Sequence, residues 1–155
     1  MPKRVVLDTN LALLLVVGLT DRTYISRHKR LAAYRVEDFE LLGMLIESHG
    51  GIVFCPNVLS ETSNLLRHIH EPIRSELSGT LERVVRSTAV AEEYVASAQA
   101  VTHGIFHRLG LTDAVLFTLT EFDAVLLTAD LSLYLEVLSA GREAVNYNHV
   151  RDRTF

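Results

Sequence analysis

The sequence predicts a three-layer α/β/α domain with a central, mostly parallel sheet. Short runs of β-branched and aliphatic residues alternate with longer apolar or amphipathic stretches, the order that builds successive β–α–β units. Those short runs are continuously apolar and not alternating, as strands covered on both faces must be. At 155 residues and 48% hydrophobic, with a mean hydropathy of +0.21, the chain can bury a large core as a single domain over residues 1–155.

Taken in order, Arg4–Leu7 reads as the first strand, Asp8-Thr9-Asn10 as a polar turn, and the apolar run 11–19 as a buried helix. Residues 20–36 form a basic, aromatic-containing insertion. Over 36–48, Phe39, Leu42, Leu45 and Ile46 recur at helical spacing among acids, and His49-Gly50-Gly51 stops the helix. Ile52–Phe54 is a second strand. Pro56 and Asn57 open a helix expected to reach Ile69, with Glu61 in its first turn or two. After Glu71-Pro72, helical patterning resumes through Arg86 and again over 90–109, where Gly110 closes it. Thr112 is expected to cap a helix beginning at Asp113. Ala124–Thr128 reads as a strand, 131–140 as a helix ended by Gly141, and 144–147 as a last strand.

Composition excludes several classes. Three Pro, eight Gly and no low-complexity tract indicate neither linker nor disordered tail. Cys55 is the only cysteine, so no intrachain disulfide forms, and it reads as a buried apolar filler. The apolar stretch after Lys3 and Arg4 is interrupted by Asp8 and Asn10 and is too short to span a bilayer, so a soluble, cytoplasmic protein without membrane association is expected. A net charge of −4 argues against a surface coated in phosphate-binding charge. Metal neutralising four acids would cancel that excess, and residues 22–35 gather Arg22, Arg27, Lys29, Arg30 and Arg35 around Tyr24 and Tyr34. The cluster reads equally as a solvated face or as a nucleic-acid contact.

In an open parallel sheet, chemistry gathers at the carboxyl ends of the strands. Asp8 follows the first strand directly, and Asp130 lies two residues past the strand ending at Thr128. Glu61 and Asp113 lie near helix N-termini facing the same edge, where each alone is explained by the helix dipole. Together, four carboxylates aimed at one small volume would raise each other's pKa unless a cation sat among them. Mg2+ or Mn2+ suits such oxygen ligands. Ions held this way activate water for in-line attack at phosphorus, which points to phosphodiester hydrolysis.

Four segments carry a family resemblance. Val5-Val6-Leu7-Asp8-Thr9-Asn10 resembles the opening strand motif of PIN domains, and Pro56-Asn57-Val58-Leu59-Ser60-Glu61 the segment bearing their second acid. Leu109-Gly110-Leu111-Thr112-Asp113-Ala114-Val115-Leu116 is similar to the third, and Val125-Leu126-Leu127-Thr128-Ala129-Asp130 to the fourth. They occur in the family's order and cover nearly the whole chain. The resemblance implies a ribonuclease using Mg2+ or Mn2+, with Asp8, Glu61, Asp113 and Asp130 as metal ligands or water-orienting groups and Asn10 and Thr128 in support. It adds RNA as substrate and, from toxin-type members, an antitoxin protein and a homodimer or higher oligomer as partners. The insertion at 20–36 lengthens the span between Asp8 and Glu61 beyond that of compact toxins, a departure bearing on the toxin assignment more than on the fold.

Other constellations are weaker. His103 and His107 are four apart, but Gly104 stands where a zinc protease needs Glu. His68 and His70 fall near a helix end, where they suit its dipole. No phosphate-cradling glycine loop or G-x-S-x-G elbow occurs. An aspartyl phosphatase using Asp8 lacks its second acid, because Asn10 occupies that place. A non-catalytic PIN-like scaffold binding RNA or protein has no reason to keep four mutually repelling acids.

Overall fold

A computed structural model describes residues 2–155. Five strands, β1 (Arg4–Leu7), β2 (Ile52–Phe54), β3 (Val90–Glu92), β4 (Ala124–Thr128) and β5 (Ala144–Asn146), form one sheet in the order β3-β2-β1-β4-β5. Each neighbouring pair is parallel, so the sheet is parallel throughout. Central β1 registers Val5 against Ile52 on one side and Val125 on the other. Val5, Val6 and Leu7 are wholly buried, which requires cover on both faces, and flanking helices provide it.

The strand order fixes where a site can form. From β1 the chain winds outward through β2 to β3, then returns to β4 beside β1 and continues to β5. The direction of winding therefore reverses between β1 and β4, and the loops leaving their carboxyl ends diverge to leave a crevice. Helix α1 (Thr9–Thr20) leaves β1 at this point and is buried from Leu11 to Gly18. It can be apolar all round because α2 (Val36–Glu47), α3 (Pro56–Leu66) and α4 (Ile73–Val85) all pack against it. The remaining helices are α5 (Ser97–Ala100), α6 (Ile105–Leu109), α7 (Leu111–Leu119), α8 (Leu131–Ser139) and α9 (Tyr147–Thr154). Among the described residues no helix is long and apolar enough to cross a membrane.

Several elements differ from expectation. Residues 90–109 are not one helix: Val90–Glu92 pairs with β2 as the edge strand β3, and α5 and α6 are short pieces after it. Helix α3 stops at Leu66, short of Ile69, with Arg67 as its C-cap. Helix α7 begins at Leu111 with Gly110 (φ +91) before it, so Thr112 lies in the first turn and is not the cap. Strand β5 ends at Asn146, whose side chain caps α9 by accepting from the His149 amide at 3.3 Å. The insertion folds into two 3-10 turns, Arg22–Arg27 and Lys29–Leu31, anchored by buried Ile25 and Leu31.

Candidate active site

Asp8 stands at the junction of β1 and β4. One carboxylate oxygen caps α1 by accepting from the Leu11 amide at 3.0 Å. The other accepts from Thr128 Oγ1 at 2.5 Å and from the Ala129 amide at 2.9 Å. Thr128 Oγ1 in turn accepts from the Asp130 amide at 2.9 Å. A single buried carboxylate thus joins the ends of the two central strands. Burial raises its pKa, the three hydrogen bonds pull it back down, and the charge of Asp130 adds to the rise.

Asp130, exposed after β4, caps α8 by accepting from the Leu133 amide at 3.0 Å. Helix capping therefore falls to Asp8 and Asp130, the two acids placed by strand ends. Glu61 lies on α3, past its first turn, where Thr9 Oγ1 donates to one oxygen at 3.3 Å and Thr112 Oγ1 donates to the other. Glu61 so binds the first turns of α1 and α7 together. The side chain of Asp113, in the first turn of α7, has no hydrogen-bond partner among the described residues. Its pKa is pushed up to about 7, chiefly by burial, then by Asp130, Asp8 and Glu61 in that order.

All four acids line one cleft of about 410 Å³, whose walls also include Thr9, Asn10 and Thr112. Asn64 and Leu65 of α3 form another part of the wall, and Arg30 supplies a cation. Thr9 and Thr112 were not singled out for their hold on Glu61, because that role needs three separate elements to meet; only the position of Thr9 between Asp8 and Asn10 hints at it. Thr128, expected as a supporting residue, acts through its bond to Asp8.

The five basic residues of the insertion do not act together. Arg30 alone of them reaches the acid cleft. Arg22 pairs with Glu40 at 3.4 Å and lies over Phe39. Arg27 lies over Tyr24, and with Lys29 it lines a separate cavity. The Arg35 side chain is exposed, while its amide donates to Asp38 at 2.7 Å. His103 faces Glu121 at 3.6 Å and the Phe117 ring, which accounts for it without a metal, and His107 edges against Phe106.

The donor set suits a hard divalent cation: four carboxylates, hydroxyl and amide groups, and no sulfur on the wall. A cation would also relieve the repulsion that Asp113 bears. As placed, the carboxylates of Asp8, Glu61 and Asp130 turn to protein N–H and O–H groups, and among the described residues no three acidic, histidine or cysteine side chains already stand as an ion-holding group. Compared with known proteins, the chain matches no family model, no curated protein and no solved structure.

Proposed function

We propose that this protein is a PIN-like endoribonuclease that uses Mg2+ or Mn2+ to hydrolyse RNA phosphodiester bonds. The observation that supports it is the meeting of Asp8, Glu61, Asp113 and Asp130 around one cleft at the point where the sheet reverses its winding. These four residues would hold the ion. When bound, it would supply charge stabilisation at phosphorus and lower the pKa of a water so that it can give up a proton and attack as hydroxide.

The chain's own groups prepare that cleft. Thr128 and the Ala129 amide fix the orientation of Asp8, and Thr9 and Thr112 fix Glu61. Asn10 is exposed on the rim and can donate its amide to a substrate oxygen, and Arg30 offers a guanidinium to a non-bridging phosphate oxygen. RNA is the substrate in this reading; an antitoxin protein and a second copy of the chain are its proposed partners. The aspartyl phosphatase is disfavoured, since the second acid it needs two residues after Asp8 is Asn10 here.

The test is cleavage of RNA in Mg2+, in Mn2+ and in EDTA. We expect cleavage with either ion and none in EDTA. Asp8→Asn and Asp113→Asn should each lose more than ~100-fold, since even residues that merely support metal ligands cost ~10–100-fold when changed. Wild-type rates from Asp8→Asn, or RNA left intact in both ions, would reject the nuclease.

A further inference from the structure

A second cavity, of about 550 Å³, is lined mostly by basic side chains: Arg27 and Lys29 from the 3-10 turns, Arg67, His68 and His70 from the link after α3, and Arg74 in the first turn of α4, with Ile69 among them. Two chain segments run from the acid cleft into it. Along the turns, Arg30 lines the cleft and its neighbour Lys29 lines the hollow; along α3, Asn64 and Leu65 line the cleft, and Arg67 and His68 the hollow. The step from one to the other is about one helical turn, ~5.4 Å.

His28 stands at the seam. It is almost fully buried, its Nε2 bonds the Leu65 carbonyl oxygen at 2.9 Å, and its Nδ1 accepts from the Arg30 amide at 3.2 Å. It locks the turns against the end of α3, adding a second donor to a carbonyl that already accepts from the His68 amide at 3.1 Å.

The cations of the hollow are mostly free. Arg74 approaches Glu71 at 3.9 Å, while Glu71 already accepts from the Ser75 amide at 2.7 Å and from its hydroxyl. Lys29 and Arg67 enter no ion pair among the described residues, and Arg67 acts on the Glu71 carboxylate only through space, helping to lower its pKa. A solvated face interleaves both signs on convex surface. Here four Arg and Lys side chains line a concavity in a chain whose net charge is −4.

We infer that this hollow grips backbone phosphates of the single RNA strand whose adjoining phosphate enters the acid cleft, with Arg30 between the two. The inference deepens the nuclease reading and rests on it for the strand's other end. The hollow has the volume of a site for one small ligand, enough for one nucleotide of a strand. Phosphate contacts of this kind fix register without reading sequence.

The test measures binding in EDTA, where RNA stays whole, using a short labelled single-stranded RNA across a salt series. Lys29→Gln with Arg67→Gln should weaken binding ~10-fold and flatten the slope of log affinity against log salt by about 1.4, and each single change by about 0.7, the value per contact for single strands. Arg86→Gln at the far end of α4 should leave both unchanged, because that helix spans Ile73–Val85 and carries the residue ~18 Å away. Unchanged affinity and slope in the single and double variants would overturn the inference. So would polyglutamate displacing RNA as well as inorganic polyphosphate does, which would assign the hollow to an acidic protein segment. Wild-type cleavage in Mg2+ with an indifferent hollow sinks the inference alone; RNA gripped through Lys29 and Arg67 yet never cleaved sinks the nuclease alone.

Discussion

Asp113 bears an electrostatic cost in the cleft, and that cost has a sign. Its carboxyl is raised from 3.8 to about 7 by burial and by three neighbouring carboxylates. A raised acid favours the folded state while protonated, and that contribution is lost as pH rises through the folded pKa. Replacing it with the neutral amide of Asn should leave metal-free stability unchanged below the unfolded value of 3.8 and give a growing advantage up to about pH 7. One pKa unit corresponds to about 1.4 kcal/mol, but the side chain is partly open to the cleft, so the plateau should be ~1–2 kcal/mol. Urea unfolding of both proteins in EDTA from pH 4 to 8 measures it, and a pH-independent difference would contradict the repulsion. The positions of Asp8 and Asp130 were legible in the sequence, because each directly follows a strand end. Their capping role was not, since spacing alone does not reveal which carboxylate reaches an amide. Nor does it reveal that Thr112 donates to Glu61, a contact across 51 positions.

At the scale of elements, α9 is held by one buried charge. Asp38 on α2 is fully buried and accepts from the Arg35 amide at 2.7 Å and from Tyr147 Oη at 2.5 Å, and Arg151 of α9 lies 3.1 Å away. Removing one partner of a buried pair strands the other in low dielectric, so Arg151→Met should cost on the order of 3 kcal/mol. Denaturant unfolding reads that loss directly, and a change below ~1 kcal/mol would mean that α9 docks by packing alone, as ordinary surface ion pairs do not hold structure. Strong patterns made β1, β2, β4, α1 and α8 legible: apolar runs bounded by Gly, Pro or acids. Strand β3 was not, because Val90-Ala91-Glu92 is three residues long and only partly buried at the sheet edge. Over so short a span the helical and extended patterns coincide. Helix α9 was hidden for a related reason: Tyr147 extends the apolar run of β5 in sequence, yet its hydroxyl is directed to Asp38 across 109 positions.

Over the whole molecule, the four acids come from four places in the chain: the β1–α1 junction, α3, α7 and the β4–α8 junction. Only tertiary folding gathers them, so the unfolded chain cannot present the same ligand set. An ion bound there is therefore linked to global stability: at 100 times its dissociation constant it adds about 2.7 kcal/mol. For a domain of this size each kcal/mol moves the melting midpoint by ~2–4 °C. Saturating Mg2+ or Mn2+ should then raise the midpoint of the wild-type protein by roughly 5–10 °C, and EDTA should reverse the shift. Asp8→Asn and Asp113→Asn should respond less, because each removes a negative charge from the cage, and Asp113→Asn should start from a higher metal-free midpoint at pH 8. These two behaviours separate cation binding from general stabilisation by salt, which would raise all three proteins alike. A wild-type midpoint indifferent to both ions, with Asp113→Asn still more stable than wild type, would leave a cleft of repelling acids that holds no metal.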